Sequence, residues 1–316
     1  MTLYGLDKQI TAFQAALAGE RMHHAWLLAG PRGVGKASFA DFAARLILNA
    51  SDPESYGANL IEAGSHPDFR RLERLPNEKT GNLARNITVE QVRHLRALFA
   101  TGTSITDRRV IIIDSIDDME RGAANALLKS LEEPPASTIF LLVSHQPGRL
   151  LPTIRSRCRI LMFGPLDDGT MTSFLEEYRP DLDPANLLQL IASANGSPAT
   201  ALAYAELDMA TLDAALVELA QTGDPTNAAR SKLAQSLALK AALPRYEAFL
   251  GRAPAFIAEQ ARRADGAMLD AALTAWSKAR ALSQIAIPQS LVAETVVFEM
   301  AGHVASLAAS RETVKA

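Results

Sequence analysis

Hydrophobic residues change their spacing twice along the chain. Over roughly the first 165 positions they gather into short unbroken runs: Ala25-Trp26-Leu27-Leu28-Ala29, Val110-Ile111-Ile112-Ile113 and Ile139-Phe140-Leu141-Leu142-Val143. A fourth, Ile160-Leu161-Met162-Phe163, follows Arg159. Runs of this length without internal charge are how strands buried on both faces of a parallel sheet read. Between them apolar residues recur at helical spacing, which predicts helices over 8–20, 36–48, 89–99 and 122–132. Strands alternating with helices predict an open, doubly wound α/β sheet. Strand patterns stop near residue 166. Short helical patterns follow at 170–178, 185–194 and 198–206, broken by Pro180 and by Asn195-Gly196-Ser197-Pro198. From 208 to 316 the chain carries 29 alanines in 109 positions, with 11 acidic and 11 basic residues. That predicts an all-helical bundle with close helix contacts, punctuated by Pro225, Pro244, Pro254 and Pro288, with Trp276 and Phe298 in its core. The expected organisation has three parts: a nucleotide-site core over 1–165, a helical lid over 166–207 and a helical bundle over 208–316.

Composition narrows the function classes. At 316 residues, 48% hydrophobic and 21% charged, the chain is neither disordered nor collagen-like. No apolar run reaches the ~18 residues of a membrane helix. Met1-Thr2-Leu3-Tyr4-Gly5 lacks the start of a secretory leader, so the cytoplasm is the expected location and no membrane partner is expected. Cys158 is the sole cysteine; neither an internal disulfide nor a cysteine-based zinc site is expected. The formal net charge of −3 offers no excess for neutralising phosphates, so a nucleic acid partner stays open, but not one held by a charge excess of this chain.

The first strand runs into Gly30-Pro31-Arg32-Gly33-Val34-Gly35-Lys36-Ala37-Ser38. A strand, a glycine-rich turn and a helix opening at Gly35-Lys36 form a phosphate loop. Gly30, Gly33 and Gly35 let backbone amides turn inward, the helix N-terminus favours anions, and Lys36 would reach terminal phosphates. The full motif places Ser or Thr after the lysine to ligate magnesium. Here that position is Ala37, and Ser38 lies about 100° further round the helix. The strand ending Ile113-Asp114-Ser115-Ile116-Asp117 reads as the metal-side strand of the same site. Asp114 fits the carboxylate that holds the metal's water shell; capping the next helix is the plain structural alternative. The neighbouring acidic base is replaced by Ser115, whose hydroxyl is no base at neutral pH. Two losses together argue against ATP hydrolysis here. The loop is expected to take ATP or ADP as a weak structural ligand and to hold magnesium poorly.

Three further blocks carry a family resemblance. Asn125-Ala126-Leu127-Leu128-Lys129-Ser130-Leu131-Glu132-Glu133-Pro134-Pro135, Thr153-Ile154-Arg155-Ser156-Arg157-Cys158 and Gly64-Ser65-His66-Pro67-Asp68 resemble, in order and spacing, the AAA+ clamp-loader subunits of bacterial DNA polymerase III over roughly residues 5–165. The resemblance implies an α/β P-loop AAA+ core followed by an all-helical lid and an all-helical collar. It also implies a place in a five-subunit ring with delta and gamma/tau subunits, and contact through that ring with a sliding clamp and primer-template DNA. The family's motor subunits keep an arginine in the lid turn; here Gly196-Ser197-Pro198-Ala199 places Ala199 there. Family members usually carry four zinc cysteines before the His-Pro-Asp segment; residues 51–64 hold none. The Ser-Arg-Cys arginine acts in the family on the neighbour's ATP site, which makes Arg157 the expected catalytic residue in trans. Arg155 and Arg159 leave that reading ambiguous on charge alone. The rival readings are an active motor-type ATPase and a P-loop phosphotransferase. The latter would need clustered lid arginines, where residues 166–207 supply only Arg179.

Overall fold

The computed structural model describes residues 2–19, 22–76, 83–99, 102–207 and 209–313. Two compact units are present: the residues up to Phe174 together with Gly196–Ala199, and Leu175–Asn195 together with the residues from Thr200 onward. The residues expected as a lid, 166–207, are thus shared between the two.

The first unit runs α1 (Asp7–Ala18), β1 (Ala25–Ala29), α2 (Lys36–Ile47), α3 (Tyr56–Glu62), β2 (Phe69–Glu73), α4 (Val89–Phe99), β3 (Arg109–Asp114), α5 (Arg121–Glu132), β4 (Thr138–Ser144), α6 (Pro152–Arg155) and β5 (Arg159–Met162). The five strands form one parallel sheet in the order β2-β3-β4-β1-β5. Alternate residues of the central strands feed opposite layers, as the strand period requires. Trp26, Leu28, Val110, Ile112, Leu141 and Val143 pack with Phe13 of α1 and Phe39, Ala43 and Ile47 of α2. Leu27, Ile111, Ile113, Phe140 and Leu142 pack with Val92 and Leu95 of α4 and Leu127 and Leu131 of α5. Both faces of β1, β3 and β4 are therefore covered, which is why those strands read as unbroken apolar runs.

β2 was not visible in the pattern: Phe69-Arg70-Arg71-Leu72-Glu73 is an edge strand whose only fully buried residue is Leu72, with Phe69 partly buried against the opposite layer. The cysteine-free segment before it holds α3, started by the Ser55 hydroxyl accepting from the Ala58 N–H at 3.2 Å. His66 is buried; its Nδ1 accepts the Asp68 N–H, and its Nε2 has no hydrogen-bond partner. Among the described residues, no group of three or more His, Cys, Asp or Glu side chains is placed to hold a metal. With one buried imidazole as the nearest donor, the residues here do not fit a zinc module.

The segment after β5 holds α7 (Asp168–Tyr178), α8 (Pro184–Ala194) and α9 (Pro198–Ala205). The second unit continues as α10 (Met209–Thr222), α11 (Ala228–Leu237), α12 (Leu243–Ala261), α13 (Gly266–Ala286) and α14 (Ala293–Thr313). Buried Ala272, Ala275, Ala279 and Ala286 line the inner face of α13, which packs against both α12 and α14; Val297, Met300, Ala301 and Val304 are among the buried residues of α14. Small residues at this spacing let helices approach closely. Buried Arg252 bridges Asp213 at 2.7 Å and Glu259 at 2.8 Å. Trp276 and Phe298, expected in the core, are only half-buried: Arg280 and Arg230 lie over their rings at 5.1 and 5.0 Å. The guanidinium groups make cation–π contacts with those aromatic faces instead. Pro254 lies inside α12 and ends nothing. No helix among the described residues is long and apolar enough to cross a membrane.

Candidate functional site

The carboxyl ends of β1, β3 and β4 meet at one edge of the sheet, where open α/β folds bind ligands. β1 delivers the loop 30–38, β3 delivers Asp114, and β4 delivers Ser144-His145. The structure thus brings Gly30, Gly33, Gly35, Lys36 and Asp114 to one place.

Two glycines are demanded by the backbone. At Gly30 a Cβ would sit 2.1 Å from the Phe163 carbonyl oxygen. Gly33 has φ +79°, and a Cβ there would meet the Ser197 Oγ at 2.3 Å and Ala199 Cβ at 3.1 Å. The lid turn therefore lies directly on the loop. The Ser197 hydroxyl donates to the Arg32 carbonyl at 3.2 Å, and the Ala199 N–H donates to the Gly33 carbonyl at 3.3 Å. Ala199, singled out because it replaces an arginine, touches the loop that an arginine there would serve.

Lys36 is buried and turned back on its own loop. Its Nζ donates to the Gly30 carbonyl at 2.8 Å and to the Pro31 carbonyl. Burial pushes its pKa down to about 8, against the opposing fields of Asp117 and Asp114. His145 faces the same charges. Its titration is lowered by burial and by Lys36, and its Nδ1 is buried without a hydrogen-bond partner.

The acidic side of the site is occupied from within. Asp114 caps no helix. Its Oδ2 accepts from Arg71 Nη2 at 2.6 Å, and the same guanidinium reaches Asp41 at 2.7 Å and Glu73 at 3.1 Å. Ser115 is buried and donates to Asp118 at 3.1 Å. Asp117 accepts from Ser144 Oγ at 3.0 Å and from the N–H groups of His145 and Gln146, fixing the end of β4. The left-handed turns at Gly33 and Gly35 suit an anion-binding loop. The metal side does not suit magnesium: Ala37 lacks the hydroxyl, and Asp114 is already paired.

The three arginines from the last residue of α6 to the first of β5 separate cleanly. Arg159 lies over Trp26 at 4.8 Å, and Arg155 donates to the Pro147 carbonyl at 3.4 Å. Arg157 pairs with Glu132 at 2.8 Å and donates to the Thr153 carbonyl at 2.9 Å, with its side chain 34% exposed. Glu132 belongs to the Leu-Glu-Glu-Pro-Pro block, so two quoted motifs meet at this ion pair. Cys158 is mostly buried; burial pushes its thiol up to about 12, which leaves it inert.

A family model described as DNA polymerase III, delta subunit, matches residues 5–167. The chain belongs to this DNA polymerase III family. A delta-prime subunit from Pseudomonas aeruginosa is 40% identical over 200 residues, covering 60% of this chain and 58% of that protein. One from Escherichia coli is 34% identical, covering 64% and 59%. A tau/gamma subunit from Haemophilus influenzae is 33% identical, covering 61% of this chain but 28% of its own length. The similarity thus runs to the delta-prime members of the DNA polymerase III family, and it spans under two thirds of their length. Arg71, Asp41 and Glu132 are the residues of the site that motif reading missed. Arg71 sits in a strand with no apolar signal, and Glu132 was legible only as part of a block.

Proposed function

We propose that this chain is a non-hydrolysing or weakly hydrolysing subunit of a bacterial DNA polymerase III clamp loader that lends Arg157 to a neighbouring ATPase. In this reading it joins delta and gamma/tau subunits in a ring that opens a sliding clamp and sets it on primed DNA. The supporting observation is a contrast within one unit. The chain's own Asp114 is neutralised by Arg71, whereas Arg157 is held at the surface by one half-exposed carboxylate and one carbonyl. Half-exposed ion pairs are worth ~0.2–1 kcal/mol, so Arg157 can exchange Glu132 for a phosphate at little cost. An arginine presented to a transferring phosphoryl group raises turnover by about 10³-fold or more. ATP or ADP, if held by the loop of this chain, would serve as a structural ligand without magnesium.

The test is ATP turnover by a reconstituted loader carrying Arg157→Ala. Assembly should persist and turnover should drop by at least about a hundredfold; undiminished turnover removes the proposal. The tau/gamma relative keeps one alternative in play, an active motor-type ATPase. Ala37, Ser115, Ala199 and the paired Asp114 weigh against it. Vigorous magnesium-dependent hydrolysis by the isolated chain would establish it.

A further inference from the structure

Arg71 projects from the edge strand β2, which pairs with β3 in a register that sets Arg71 beside Ile112 and Glu73 beside Asp114. From there its guanidinium spans three carboxylates on three elements. Nη1 meets Asp41 of α2 at 2.7 Å, Nη2 meets Asp114 of β3 at 2.6 Å, and Nε meets Glu73 of its own strand at 3.1 Å. Three-quarters of the side chain is buried. This is what a divalent cation does at the end of such a strand: it ties the strand's terminal carboxylate to its neighbours. The guanidinium does so with a fixed planar fork and never deprotonates near neutrality.

The surroundings reinforce the substitution. Burial opposes the charge on Arg71, yet Asp41 and Asp114 outweigh it and drive its pKa up. Lys36 and Arg32 also lie in the field around Asp114 and His145. A second cation brought to Asp114 would meet Arg71 at contact distance and Lys36 nearby, in a partly desolvated place where like charges repel strongly.

We propose that Arg71 is a built-in replacement for the metal of the phosphate-loop site: it holds α2, β2 and β3 together and excludes divalent cations from Asp114. This inference rests on reading residues 30–38 as a phosphate loop with Asp114 on its metal side. It goes beyond the absence of hydrolysis, because it makes any ligand of this loop metal-free and names the residue responsible.

The experiment uses the full chain and the metal alone. Wild type titrated with Mn²⁺ and followed by electron paramagnetic resonance should show no site that Asp114→Asn abolishes. Its melting temperature should be the same in EDTA as in millimolar Mg²⁺ or Mn²⁺. Arg71→Met leaves three carboxylates facing one another; it should melt lower by on the order of 5 °C and recover part of that loss in Mn²⁺. A wild-type Mn²⁺ site lost in Asp114→Asn overturns the proposal. So does a folded Arg71→Met chain that melts like wild type and ignores Mn²⁺. Should Arg71→Met fail to fold, the wild-type titration still decides. Loader turnover does not enter either measurement, so failure of the Arg157 proposal and failure of this one are told apart.

Discussion

Lys36 shows how a motif residue can be legible in type and hidden in state. Its place after Gly35 announces a phosphate ligand, but its amine bonds to the loop's own carbonyls. The consequence for stability has a definite sign. Burial lowers its pKa from 10.5 to about 8, so between those values the unfolded chain holds more of this proton than the folded one. Stability contributed by Lys36 therefore rises with pH across that window. Cys158 acts in the opposite sense: its thiol is raised from 9.0 to about 12, so its contribution falls as pH climbs above 9. The raw alkaline curve mixes the two, and the comparison with Lys36→Met separates them. In urea unfolding, the difference between wild type and Lys36→Met should move in favour of wild type from about pH 8 to pH 10; a flat difference would contradict the buried, charged Lys36. The pairings of Arg71 with Asp114 and of Arg157 with Glu132 were invisible for a different reason. They join residues 43 and 25 positions apart (157 less 132 for the latter), and only the parallel crossovers bring those positions together.

At the scale of elements, burial decided what could be read. β1, β3 and β4 are covered on both faces and stood out as apolar runs. β2 and β5 are edge strands carrying Arg70, Arg71 and Glu73, or Arg159, and their signal is diluted by side chains that face water. β5 was read because it still keeps the apolar run Ile160-Leu161-Met162-Phe163; β2 offers only Phe69 and Leu72, separated by two arginines. Glycines divide in the same way. Gly30 is fixed by the backbone of Phe163, whereas Gly251 sits on the exposed side of α12, where a Cβ would meet only the Tyr204 hydroxyl at 3.6 Å. Gly30→Ala should cost about 2–3 kcal/mol, because a carbonyl cannot step aside as a side chain can. Gly251→Ala should gain about 0.5–1 kcal/mol, since glycine weakens a helix interior. Chemical denaturation of the two variants checks both signs. A neutral Gly30→Ala would mean that β1 and β5 do not close on the loop as described.

Over the whole molecule, charge bears on whether this chain could bind DNA by itself. The formal net charge is −3, and the alanine-rich part from 208 to 316 is balanced at 11 acidic and 11 basic residues. Two arginines of the first unit are spent on internal carboxylates: Arg71 on Asp41, Asp114 and Glu73, and Arg74 on Asp118. Affinity for a nucleic acid backbone grows with the number of phosphates that cations neutralise, each releasing condensed counterions. A chain with no cationic excess and these guanidinia engaged has few to offer. Alone, it should bind a primer-template more weakly than about 10 µM at 150 mM salt, with a shallow salt dependence. The reconstituted loader should bind the same DNA far more tightly, because its affinity would then come from several subunits at once. Fluorescence anisotropy across a salt series distinguishes the cases. Submicromolar, steeply salt-dependent binding by the isolated chain would locate a phosphate-neutralising face within this molecule and move the DNA contact from the assembly to this chain.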